Sequence, residues 1–230
     1  KLQYPKGTNK IYSYFTARGS RIDGIDKTVF WGLRYYIEKY LKNGITKENV
    51  DEFLGCMHDH LGEDAISQET IDELRALENK GYLPLHIKAL PELTEVPMQV
   101  PLFTITNTDD RYYWLTNFIE TLLCKVYYTS TLATIMLRLR RMGDYFAKET
   151  CDDNSHVDFQ FHNFGARGMH SEECAQIASL THLLYFKGTD SVCGLPLYKQ
   201  MFGKHNGYSC PASEHSISCM FGPGEGEYKY

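Results

Sequence analysis

Four residues in the last third of the chain are of the types and at the spacing that chemistry needs. Phe164 sits in a glycine-flanked turn, F-G-A-R-G, where a large ring has little core to join; an exposed ring there can stack on a flat heterocycle. Arg167, in the same turn, offers a fork of donors to an anionic or carbonyl group. Asp190 ends F-K-G-T-D and can accept the N–H donors of an amide. His215 follows Glu214 in P-A-S-E-H-S, and a carboxylate beside an imidazole orients the ring and raises its basicity. Each has a plainer reading: turn aromatic, surface arginine, helix-capping aspartate, core histidine. Their joint occurrence is what points to a site.

The elements that must position them follow from local pattern. Val157 to Phe161 predicts a strand, Phe164 to Gly168 an exposed turn, and Ser171 to Tyr185 a helix with Ser171 as its N-cap. Lys187 to Asp190 is a second polar turn. Strand, turn and helix in that order are the α/β signature, and ligands of such folds bind at one sheet edge. His162 and His182 read as satisfied structural histidines.

Upstream, Lys10 to Ala17 reads as a strand that ends in the basic turn of Arg18 and Arg21; guanidinium forks there suit phosphate oxygens, although solvated loop charge is the simpler account. Thr28 to Leu41 predicts a helix. Thr46 and Ser67 are placed to cap two more, the second stopped by Gly81. Pro84, Pro91, Pro97 and Pro101 separate the short extended runs Leu85 to Ala89, Leu93 to Val96 and Leu102 to Thr106. Asp109 to Lys125 and Ser130 to Lys148 predict helices, the second carrying Arg138, Arg140 and Arg141 as a solvated basic face. The polar stretch Cys151 to Ser155 is read as a hinge, which gives an α+β domain over residues 1–152 and the start of an α/β domain over 153–230.

Composition excludes several classes. The 230 residues are 43% hydrophobic and 23% charged, as in a soluble globular protein, and a net charge of −5 gives no basic field for nucleic acid. No apolar run reaches the roughly 20 residues a membrane helix needs. Seven scattered cysteines without a C-x-x-C pair read as reduced thiols of a cytoplasmic protein. Cys56, His58 and His60 have the wrong spacing for ligands on one helix face, and no residue is assigned to a metal. The sequence holds neither a G-x-x-x-x-G-K-[ST] phosphate loop nor a G-x-G-x-x-G after a strand.

Taken in order, the stretches Gln3 to Phe15, Leu83 to Ala89, Asn107 to Asp109, Tyr113 to Asn117, Ile119 to Thr121, Phe164 to Gly168, Phe186 to Asp190 and Pro211 to Ser216 resemble the nicotinamide phosphoribosyltransferases, of the type II phosphoribosyltransferase family, over their N-terminal half. The resemblance implies a fold and roles. The fold would be an α+β N-terminal part followed by the first units of an α/β barrel. Phe164 would stack on nicotinamide, Arg167 line its pocket and Asp190 accept the carboxamide N–H while repelling the carboxylate of nicotinate. His215 would be phosphorylated by ATP, with Glu214 beside it, and Arg18 would contact phosphate in a site shared across a homodimer. Phosphoribosyl pyrophosphate with Mg²⁺ would be the second substrate. Where the family commonly has H-D-F-G-Y-R-G, Asn163 and Ala166 replace an acid and a tyrosine, which opens one wall of the pocket. The resemblance also implies that these residues are an excerpt of a longer enzyme, or a truncated product inactive by itself. A nicotinate-specific relative and a non-catalytic dimerisation or binding module are the other readings.

Overall fold

The computed structural model describes Lys1 and residues 3–229, the side chains of Glu227 and Lys229 excepted. Two compact units are present, Lys1–Ile135 and Met136–Tyr230.

The first unit is built on a three-stranded antiparallel sheet, in the order β1 (Tyr12–Thr16), β5 (Pro101–Asn107), β3 (Leu85–Ala89). Strand β1 alternates: Tyr12 and Tyr14 face solvent, while Phe15 stacks on Phe103 of β5 with ring centroids 5.1 Å apart. Asn107, wholly buried, ties the two strand ends together. Its side chain accepts from the Ile11 amide at 2.9 Å and donates to the carbonyls of Asn9 (2.9 Å) and Asp109 (3.0 Å).

A second ribbon pairs β2 (Lys27–Val29) with β4 (Glu95–Pro97). The helix expected from Thr28 is therefore shorter. Residues 29–31 form a buried Val-Phe-Trp run, Gly32 turns the chain at φ +99°, and only then does α1 (Leu33–Tyr36) begin, continuing as a π turn over Ile37–Leu41. A buried β-rich run followed by a left-handed glycine overrides helical spacing. The turn is pinned by α6 (Val126–Thr150): Ser130 and Thr134 accept the amides of Trp31 and Val29 at 3.1 and 2.8 Å. A side chain at Gly32 would run into Thr129.

The capping residues act as read. Thr46 accepts from Asn49 to start α2 (Lys47–Leu61), Ser67 from Thr70 to start α3 (Gln68–Lys80), and Gly81 closes α3 in the left-handed conformation. The helix expected over Asp109 to Lys125 is broken. Asp109 caps a single 3-10 turn, and α4 (Leu115–Phe118) and α5 (Glu120–Leu123) are separated at Ile119, whose ψ of 1° is not helical.

In the second unit Val157–Gln160 is a one-turn helix, α7, rather than the expected strand. The run V-D-F-Q-F fits two periods, and packing selects the helical one. Val157 and Phe161 lie a turn apart and join Ala147 and Phe186 in the core of this unit. The strand-like backbone comes later. Asn163 bridges Thr189, and Gly188 bridges Tyr208, both in parallel. Helices α8 (Glu172–His182) and α9 (Leu195–Phe202) separate these extended segments, and α10 (His215–Met220) follows them. Ser171 caps α8 by accepting from Cys174 at 3.2 Å. The fold class is thus α/β, as expected. All seven cysteines are free. Among the described residues, no helix is long and apolar enough to cross a membrane.

Candidate active site

The parallel bridges bring three stretches of sequence side by side. Asp190 donates its amide to the Asn163 carbonyl at 3.0 Å, Asn163 donates to Gly188 at 3.1 Å, and Thr189 donates to Tyr208 at 2.8 Å. Phe164, Asp190 and Ser209 therefore emerge from neighbouring bridged segments. Buried Thr189 and Ser191 brace them. The Ser191 hydroxyl reaches the Asn163 carbonyl at 3.3 Å and accepts the Ala166 amide at 3.2 Å. Asn163 takes the Gly165 amide at 2.9 Å and so holds the turn itself.

Phe164 is 58% exposed. Its ring lies against the imidazole of His162, with centroids 4.6 Å apart and planes tilted by 34°. The Nε2 atom of that imidazole is 3.1 Å from Asp190 Oδ1, and the Ser209 hydroxyl donates to the same oxygen. The Ser209 bond first, and then His162, hold the Asp190 carboxyl below the ordinary carboxylate range, so it is ionised at neutral pH. The sequence reading placed His162 among structural residues. The structure puts it between ring and carboxylate. One signal was available: residues two apart along an extended segment face the same way.

His182 is structural. It is buried, stacks on Phe186 and bonds the Gly188 carbonyl at 3.0 Å through Nε2; burial lowers its pKa.

Arg167 is exposed in the 3-10 turn Gly165–Gly168. Glu214 is the N-cap of α10: its carboxylate accepts the Ser216 amide at 2.6 Å and the Ser216 hydroxyl. Those bonds, with a smaller contribution from the Arg167 charge, depress its pKa. The carboxylate is thus engaged with Ser216, while the His215 ring, exposed at the first residue of α10, lies 3.8–3.9 Å from Cys219 Sγ.

Arg140 is more than a solvated face. Its guanidinium donates to Asp158 and Asp144 and to the Tyr185 carbonyl at 3.1 Å. Asp158 also takes the Lys187 ammonium at 2.7 Å, which anchors the start of the segment that ends in Asp190.

Arg18 belongs to the first unit. It is exposed after β1, on the lip of an open groove of about 660 Å³ shared with Thr16, Glu120, Cys124 and Tyr127. Among the described residues, no three His, Cys, Asp or Glu side chains gather to hold a metal ion.

Residues 1–87 match the N-terminal domain model of nicotinamide phosphoribosyltransferase, and residues 159–227 match the nicotinate phosphoribosyltransferase family model. Among curated relatives, nicotinamide phosphoribosyltransferase of Acinetobacter baylyi is 39% identical over 96% of this chain and 46% of its own length. That of Xanthomonas campestris is 34% identical over 96% and 46%, and that of Mycoplasma genitalium 31% over 96% and 51%. The chain spans about half the length of these relatives. The human nicotinic acid phosphoribosyltransferase crystal structure shares the fold, with a TM-score of 0.59 at 19% identity, over 93% of this chain and 36% of that one. Along nearly its whole length the chain is similar to the nicotinamide phosphoribosyltransferases and matches their N-terminal half.

Proposed function

We propose that the chain carries the base-binding part of a nicotinamide phosphoribosyltransferase acting in NAD salvage. The observation that carries this is the placing of the exposed Phe164 ring and the ionised Asp190 carboxylate on adjacent bridged segments. A pyridine ring lies on Phe164 while its carboxamide N–H donates to Asp190, and Arg167 meets the carbonyl side. A carboxylate in the place of the carboxamide is repelled by Asp190, which sets the preference for nicotinamide.

In the reaction the pyridine nitrogen forms a bond to the anomeric carbon of phosphoribosyl pyrophosphate as the bond to pyrophosphate oxygen breaks; nicotinamide mononucleotide and pyrophosphate are the products. The chain's contribution is to hold the ring in line with that carbon. Arg18 contacts phosphate in a site shared between the copies of a homodimer. Mg²⁺ held on the diphosphate oxygens would neutralise the charge of the departing phosphates. ATP phosphorylates His215 and so drives the reaction, with Glu214 shaping the helix start on which that imidazole sits. The location is cytoplasmic.

Calorimetry with nicotinamide, nicotinate and phosphoribosyl pyrophosphate, each alone, tests the reading. Binding of nicotinamide in preference to nicotinate is expected, and equal or absent binding of the two bases overturns it. The match of residues 159–227 to the nicotinate family favours one other reading, a nicotinate-specific relative, which the same titration separates.

A further inference from the structure

We propose that His162 is a positioning residue for base recognition: it locks the Asp190 carboxylate and the Phe164 ring into one rigid unit and thereby sets the choice between carboxamide and carboxylate bases. The inference rests on the base-binding reading above and assigns a role to a residue which that reading leaves out.

The geometry has three parts. First, Nε2 of His162 lies 3.1 Å from Asp190 Oδ1. An ionised carboxylate only accepts, so His162 carries its hydrogen on Nε2 and donates it. Second, the Ser209 hydroxyl donates to the same Oδ1. Both protein donors converge on one oxygen, and with the Asp190 side chain 32% exposed, Oδ2 is the oxygen that faces an incoming N–H. Third, the imidazole that fixes the carboxylate is also the surface on which Phe164 rests, at 4.6 Å between centroids. The His162 side chain is only 11% exposed, so it has little freedom to leave either partner.

The backbone is shaped for this imidazole. A side chain at Gly188 would place its Cβ 2.7 Å from His162 Nδ1 and 3.3 Å from the Phe159 backbone. Gly188 does not need a left-handed backbone, so what requires glycine there is the space taken by the histidine and by Phe159. The charged and titratable groups that face the ring are Asp190 and, across the core of this unit, His182.

A freely turning Asp190 would present either oxygen at many angles. Held at Oδ1, it keeps Oδ2 in one orientation, which is what recognition of a planar carboxamide needs.

The test uses the full-length protein. His162→Phe keeps a ring against Phe164 and removes the donor, whereas His162→Gln keeps an N–H donor and removes the ring. Asp190→Asn is the control for the underlying reading. Steady-state kinetics with nicotinamide and with nicotinate give KM, kcat and the ratio of kcat/KM for the two bases, and a thermal midpoint is taken for each variant. For His162→Phe, KM for nicotinamide should rise about tenfold, as the loss of one charge-assisted hydrogen bond implies, with kcat within about threefold and the preference over nicotinate reduced. His162→Gln should recover part of the KM but not all of it. Gly188→Ala, which displaces the imidazole without removing it, should shift KM in the same direction, and it decides the matter should His162→Phe not fold. Unchanged KM and base preference in His162→Phe and Gly188→Ala overturn the inference. So does an equal loss in His162→Phe and His162→Gln that tracks only the thermal midpoint. If the wild-type protein shows no preference for nicotinamide, or Asp190→Asn leaves that preference intact, the base-binding reading itself fails and the role of His162 falls with it.

Discussion

Asp158 holds Lys187 twice: its carboxylate takes the Lys187 ammonium at 2.7 Å, and its backbone carbonyl takes the Lys187 amide at 2.7 Å. Arg140 donates to the other carboxylate oxygen. One aspartate therefore fixes the first residue of the segment that carries Asp190. Asp158→Asn should lower stability by about 1–2 kcal/mol at neutral pH, because a shared charge-assisted network is lost from a site less than a quarter exposed. The Lys187 bond first, opposed by burial and aided by Arg140, lowers the Asp158 pKa in the folded state. Its contribution is therefore fully present above the unfolded carboxylate value of about 3.9 and is lost as pH falls through the lower folded value. Thermal midpoints of wild type and variant, measured from neutral to acid pH, should stay apart down to about pH 5 and converge below about pH 4.

Removing the Asn107 side chain should be among the more damaging single changes in the first unit. Asn107→Ala takes from the Ile11 amide and the Asn9 carbonyl the bonds Asn107 makes to them, and leaves the Asp109 carbonyl with the Tyr112 amide alone. A loss of about 2–3 kcal/mol is expected, read as a lower urea midpoint with an unchanged slope.

Ring recognition and amide recognition should separate by variant. Phe164→Ala removes the stacking platform and should weaken nicotinamide about tenfold or more, with nicotinate affected alike. Asp190→Asn removes the negative charge and should mainly raise nicotinate affinity, narrowing the difference between the bases. Competition binding with the two bases measures both; equal effects of the two variants on the two bases would contradict the assignment.

Incubation with γ-labelled ATP should place an acid-labile, alkali-stable phosphoryl group on the protein, and His215→Ala should abolish it. Glu214→Ala removes the N-cap of α10 and should reduce labelling without abolishing it. Label that survives in His215→Ala would move the modification elsewhere.

Features encoded locally were legible in the sequence. Thr46, Ser67 and Ser171 cap helices by reaching a backbone amide three residues away, and Gly81 ends one by its own backbone freedom; no distant partner is needed. Proline spacing likewise located the strand runs between Leu85 and Asn107. What depends on distant packing was not legible. Val157–Gln160 turns out helical because Ala147 and Phe186 receive Val157 and Phe161 a turn apart. Thr28 and Val29 turn out extended because Glu95–Pro97 and Thr134 supply their hydrogen-bond partners. Arg140 looked solvated because its partner Asp158 is a loop and a helix away. At the candidate site, the exposure of Phe164 followed from its glycine neighbours. The bonds of Asp190 to His162 and Ser209 link three segments, and no single stretch of sequence reveals them.

Because His162 and Ser209 converge on a single oxygen of Asp190, this edge offers a visitor one free carboxylate oxygen instead of a matched pair. A head group with one N–H on that side, such as a lactam, is satisfied there. A urea, with two parallel donors, must converge both on that one oxygen instead of bonding the two carboxylate oxygens separately. Chemists seeking inhibitors at this edge should therefore count donors before adding bulk.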